Sequence, residues 1–112
     1  MVEKLINFIN ILEEDSQIND VKKHGYCRNW TKRAAQLAHD FFEPNEWEIL
    51  AREISLGTTD HTFLRVRNLK DEQLSFFYDG TGTFKSEPYF GPESESPDHF
   101  KNNQKDPYSD CF

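Results

Sequence analysis

Val2, Leu5, Ile6, Ile9 and Leu12 recur at the three- and four-residue spacing of one helix face, so the pattern predicts an amphipathic helix from about residue 2 to 14. The polar run Glu13 to Asn19 ends it. After Gly25, Cys27, Trp30, Ala34, Leu37, Ala38 and Phe41 form a second helical stripe that Pro44 stops, which predicts a helix from about 27 to 42 with Cys27 in its first turn. From Trp47 the period changes. Leu50, Ile54 and Leu56 alternate with polar neighbours and favour a strand, although Ile49 and Ala51 would also suit a short helix beginning near Asn45. His61 to Arg67 and Gln73 to Asp79 are rich in β-branched and aromatic residues and are joined by the polar Asn68 to Glu72, the signature of an antiparallel hairpin. Beyond Pro92 the chain turns to Ser, Glu, Asp, Asn and Lys. The expected organisation is therefore an α+β domain over 1–91 and a polar tail over 92–112 that buries little, so that deleting 96–112 would leave the thermal midpoint almost unmoved.

Composition narrows the classes. The chain has 112 residues, 36% of them hydrophobic and ten of them Phe, enough for one globular core. A net charge of −7, with no cluster of Lys and Arg among aromatics, argues against nucleic acid as a partner. No apolar stretch is long enough to span a membrane, and Met1-Val2-Glu3-Lys4 does not open a signal peptide, so a cytoplasmic protein with no membrane partner is expected.

Two cysteines are present, and Cys111 lies in the polar tail, so both are read as thiols and Cys27 is the one inside the folded region. A helix N-terminus presents unpaired N–H groups and partial positive charge, which favour thiolate at Cys27 and can hold the oxyanion that forms when it attacks a carbonyl. With the hairpin turn centred on Lys70, His61 faces Asp79 directly across the two strands, where a carboxylate can accept a hydrogen bond from imidazole. Thr62, Leu64, Val66, Leu74, Phe76 and Tyr78 then make the inward face, and His61, Phe63, Arg65, Ser75 and Phe77 the mixed one.

Cys27 opening a helix, His61 beginning His-Thr-Phe-Leu-Arg-Val and Asp79 ending Phe-Phe-Tyr-Asp-Gly together resemble the papain fold, and within it the compact papain-fold toxin domains of bacterial polymorphic toxin systems. The resemblance covers about 20 to 90 and implies a Cys27-His61-Asp79 triad, a papain-like α+β fold, and amide chemistry on a protein substrate: glutamine deamidation, peptide cleavage or a transglutaminase-like transfer. It implies no cofactor, and an immunity protein as cognate partner of a toxin delivered to a target cell. The pattern departs from papain in having His24 where papain has a second cysteine and Arg28 where papain has Trp. Papain-like enzymes complete the oxyanion hole with an upstream Gln; here Gln17 and Asn19 are the candidates.

Simpler readings compete. A cysteine on an apolar helix stripe is usually a small core residue, Asp79-Gly80 suits a turn, and His24-x-x-Cys27 with His61 and Asp79 has zinc-like spacing but too little cysteine for a structural site. No metal is expected. From a different class, the acidic charge would suit a catalytically inactive module that binds a basic protein partner.

Overall fold

The structure is a computed structural model that describes residues 2–23, 26–57, 59–83, 87–101 and 104–105. Three helices, α1 (Val2–Glu14), α2 (Ser16–Lys23) and α3 (Cys27–Phe41), precede four strands, β1 (Trp47–Ser55), β2 (Asp60–Asn68), β3 (Ser75–Asp79) and β4 (Tyr89–Pro92). The strands form one antiparallel sheet in the order β1-β2-β3-β4. Two 3-10 turns follow, Glu93–Glu95 and Asp98–Phe100. The expected α+β class and both long helices are present. No helix among the described residues is long and apolar enough to cross a membrane.

The helices cover one face of the sheet. Phe8 sits at the centre of that core, with its ring 5.1 Å from the rings of both Phe42 and Tyr78 and 5.7 Å from Phe41. Tyr78 satisfies its buried hydroxyl by donating to the Leu5 carbonyl at 2.6 Å, which ties β3 to α1. The α1 stripe is therefore rotated from the expected one: Leu5, Phe8 and Leu12 are buried while Val2 and Ile6 are exposed. The choice was made by Phe8, because its large ring gains more from burial than the Val2 and Ile6 side chains do.

α2 was hidden in a stretch expected to be a terminator. Asp15 accepts the Ile18 N–H at 3.0 Å as an N-cap and is gripped by Arg33 of α3 at 2.8 and 3.1 Å, so a polar octapeptide becomes a helix that buries Ile18. Arg33 holds the Asp15 carboxyl below its ordinary pKa.

Among the described residues, no α-helix covers the opposite face of the sheet. Phe63, Phe77 and Ile54 are covered there by Phe100, whose ring lies 4.8 Å from Phe63 and 5.6 Å from Phe77. Phe100 is fully buried, so the described residues beyond 92 are part of the domain rather than a tail that buries little. Lys105 then pairs its backbone with the outer edge of β1, its N–H and C=O each bonding Glu53 at 2.9 Å. Polar composition concealed this because one aromatic ring, placed over an uncovered apolar patch, supplies most of the burial. Residues 106–112, including Cys111, lie outside the described residues.

Candidate active site

The hairpin register differs from the one the numbering suggested. Leu64 faces Tyr78 and Val66 faces Phe76, so the turn is centred on Asp71, not Lys70. Asn68 decides this. Its side-chain oxygen accepts the N–H groups of Lys70 at 2.9 Å and Asp71 at 3.0 Å, and its own N–H reaches the Leu74 carbonyl at 2.9 Å, closing the loop over residues 69–73. Continuing that register places Asp79 across from Phe63, with His61 on the diagonal rather than directly opposite. Because the partner moves by two positions, both residues stay on the same face. Diagonal neighbours lie roughly 7–8 Å apart, within reach of an imidazole and a carboxylate extended toward each other.

They meet. His61 Nε2 lies 3.0 Å from Asp79 Oδ2, and both side chains are almost completely buried. The ring N–H is not in line with that oxygen, so charge and proximity hold the pair more than a straight hydrogen bond does. The other carboxylate oxygen of Asp79 accepts from the Thr81 N–H and hydroxyl at 3.3 Å and from the Gly82 N–H at 3.2 Å. Gly82 has φ 69°, a left-handed conformation that glycine adopts readily and that redirects the chain just after this N–H. Asp79 is thus a turn residue and the partner of His61 at once: the turn fixes the plane of the carboxylate and leaves one oxygen for the ring. Trp30 seals the end of β3, with its indole so close over Gly80 that a Cβ there would overlap it.

Cys27 approaches from the helical side. Tyr26 occupies the N-cap position of α3 without a side-chain cap, and the half-buried Cys27 opens the helix at an open depression of about 350 Å³ lined by Tyr26, Cys27, Arg28 and Asn29. Its sulfur is within hydrogen-bond reach of the His61 ring and of both the N–H and the hydroxyl of Thr62. Nε2 is turned to Asp79, and the same ring acts on the thiol of Cys27. The Thr62 N–H is free for this task for a topological reason. Glu53, opposite Thr62, bonds outward to Lys105, so the backbone groups of Thr62 point toward β3, which has already ended at Asp79.

Electrostatics follows the geometry. Burial works against ionising Cys27, but hydrogen bonds from His61 and Thr62 and the His61 charge outweigh it and set the thiol pKa below its ordinary value. Burial likewise opposes a charged His61, yet Asp79 on one side and Cys27 on the other raise its pKa to about 9. Around neutral pH these directions favour a thiolate beside an imidazolium.

The three residues named from sequence therefore converge from α3, β2 and β3. Gln17 and Asn19 do not join them. Gln17 is exposed, Asn19 donates its amide to the Glu13 carbonyl at 3.0 Å, and the side chains that act on Cys27 and His61 are Thr62, Asp79 and each other. Glu53 and Thr62 were missed. A charged residue on the strand face shared with Ile49 and Ala51 was the available signal for Glu53. No group of three or more His, Cys, Asp and Glu side chains that could hold a metal occurs among the described residues, and His24 lies outside them. No family model matches the chain, and no curated protein or solved structure matches it.

Proposed function

We propose that the protein is a papain-like cysteine hydrolase that cleaves amide bonds of a protein substrate, as a glutamine deamidase or a peptidase. The observation that carries this reading is the juxtaposition of Cys27, His61 and Asp79, 34 and 18 residues apart in sequence, with His61 Nε2 3.0 Å from Asp79 and the same ring acting on the thiol. The order Cys, His, Asp along the chain and the nucleophile at a helix N-terminus beside an antiparallel sheet support the papain-like assignment.

In the proposed reaction the Cys27 thiolate attacks the amide carbonyl carbon and forms a C–S bond, while the carbonyl electron pair moves onto oxygen. Backbone N–H groups in the first turn of α3 stabilise that oxyanion. As the oxyanion collapses, the C–N bond breaks and His61 gives its Nδ1 proton to the departing nitrogen, which leaves as ammonia or as a peptide amine. His61, now neutral, takes a proton from water, which attacks the thioester; breaking the C–S bond yields the carboxylic acid and restores thiolate and imidazolium. Asp79 holds the ring's orientation and supports its positive charge throughout.

Mass mapping of a protein mixture incubated with the wild type and with Cys27→Ala tests this. Glutamine-to-glutamate conversion or backbone cleavage that depends on Cys27 is expected, with the variant folded and inactive. Turnover retained in Cys27→Ala ends the triad reading, and wild-type Cys27 that alkylates no faster than Cys111 points instead to a non-catalytic module.

A further inference from the structure

Glu53 is the buried charge that the proposed reaction does not use. It is fully buried on β1, at the sheet end where α3 begins. One of its oxygens, Oε1, accepts from Arg28 Nη2 at 2.9 Å and from the Thr62 hydroxyl at 3.4 Å. Arg28 directly follows Cys27 and Thr62 directly follows His61. A single carboxylate oxygen therefore links the residue after the nucleophile to the residue after the base. The second oxygen, Oε2, is buried without a hydrogen bond and lies 3.7 Å from Lys105 Nζ.

A charged group this deep is costly to bury, and simple stability would be served as well by an apolar side chain. What an apolar side chain would lose is the bridge between two elements. α3 and β2 meet along the sheet face, but Cys27 and His61 sit at the outermost end of each, where that packing gives least support. We propose that Glu53 is a positioning residue of the Cys27–His61 site, a clamp that holds the first turn of α3 against the start of β2 through Arg28 and Thr62. This rests on the reading of Cys27 as a nucleophile.

The clamp also holds the Thr62 hydroxyl, which donates to Glu53 Oε1 at 3.4 Å and helps to lower the Cys27 pKa. Arg28, being charged and closer, is the stronger of the two donors to Oε1. Among the described residues, the charged groups joined to this clamp and to His61 are Arg28 on α3, Glu53 on β1, Asp79 on β3, and Lys105, which also lies 3.9 Å from Asp60 on β2. Loss of Glu53 thus releases Arg28 and Thr62 together.

The test is the pH profile of Cys27 alkylation by iodoacetamide in full-length protein carrying Cys111→Ser, with circular dichroism as the check on folding. Glu53→Leu, similar in size and apolar, is expected to raise the thiol pKa by about one unit, because the loosened contact between Cys27 and His61 outweighs the removal of a negative charge, which alone would lower it; alkylation then slows about tenfold below that pKa. Glu53→Gln keeps an oxygen acceptor for both arms and is expected to retain most of the wild-type profile. A loss of stability alone would not produce that difference. Folded Glu53→Leu with a wild-type profile overturns the clamp. Should Glu53→Leu fail to fold, Arg28→Met removes one arm at a half-exposed position and is expected to shift the profile in the same direction; no shift there overturns the clamp equally. An unactivated thiol in the wild type overturns the functional reading and the clamp together, whereas an activated wild type with unchanged variants overturns the clamp alone.

Discussion

The two faces of the sheet are built on different terms. The helical face is closed by three elements whose apolar residues recur with helical period, and Trp30, Phe8, Tyr78, Leu64 and Val66 interlock there in one continuous core. The opposite face, which carries His61 and Asp79, is closed by a short segment of mostly polar sequence through one ring, Phe100, against Phe63, Phe77 and Tyr89. That ring also lies 6.5 Å from His61. Fold and site are thereby separated: one face supplies cohesion, and the other supplies a dry wall for a charged pair that water would otherwise weaken.

The sharpest challenge to that division is to remove one ring from each face. Phe8→Ala and Phe100→Ala should each cost about 3–5 kcal/mol, the usual range for deleting a buried phenyl ring, as read by denaturant unfolding. Only Phe100→Ala should also slow Cys27 alkylation, because it opens the wall beside His61. Equal effects on alkylation would erase the distinction between the faces. A loss under about 1 kcal/mol for Phe100→Ala would show that the C-terminal segment is not part of the core.

The next effect is on proton equilibria. His61 has its pKa raised from 6.5 to about 9 by Asp79 and Cys27 against the opposing pull of burial. Its contribution to stability is therefore complete below about pH 6.5, declines as pH rises from there, and is lost above about 9. Cys27, whose pKa is lowered, contributes in the opposite sense: fully above the ordinary thiol pKa and less as pH falls through its folded value. The thiolate–imidazolium pair should accordingly decay on the alkaline side near pH 9. Asp79→Asn retains an acceptor for the ring but no charge, so the alkaline limb of turnover should move down toward 6.5, and NMR titration of the His61 ring should show the same shift. A limb that stays put would mean that Asp79 only shapes its turn.

The smallest effect belongs to the helical face. Asp15→Ala removes the N-cap of α2 and the anchor of Arg33, and should cost about 1 kcal/mol in thermal or denaturant unfolding without altering Cys27 alkylation. Altered alkylation would mean that the α2 junction is coupled to the site.

Much of this was legible in the chain by itself. The period of Leu5, Leu12, Trp30, Ala34 and Ala38 encodes helices, and the alternation through His61–Arg67 and Ser75–Asp79 encodes strands and assigns each residue to a face, because local backbone geometry fixes where successive side chains point. That was enough to single out Cys27, His61 and Asp79 and to place the last two on one face. Tertiary structure decided what lies between elements. The Asn68 turn set a diagonal instead of a direct His61–Asp79 contact; Phe8 displaced Val2 and Ile6 from the core; Phe100 turned a polar segment into a wall; and Arg28, Glu53 and Thr62 met from three separate stretches of chain. None of these leaves a periodic mark, since each is one side chain choosing among partners distant in sequence, and that choice is made by the space and the unsatisfied charge that the packed elements leave behind.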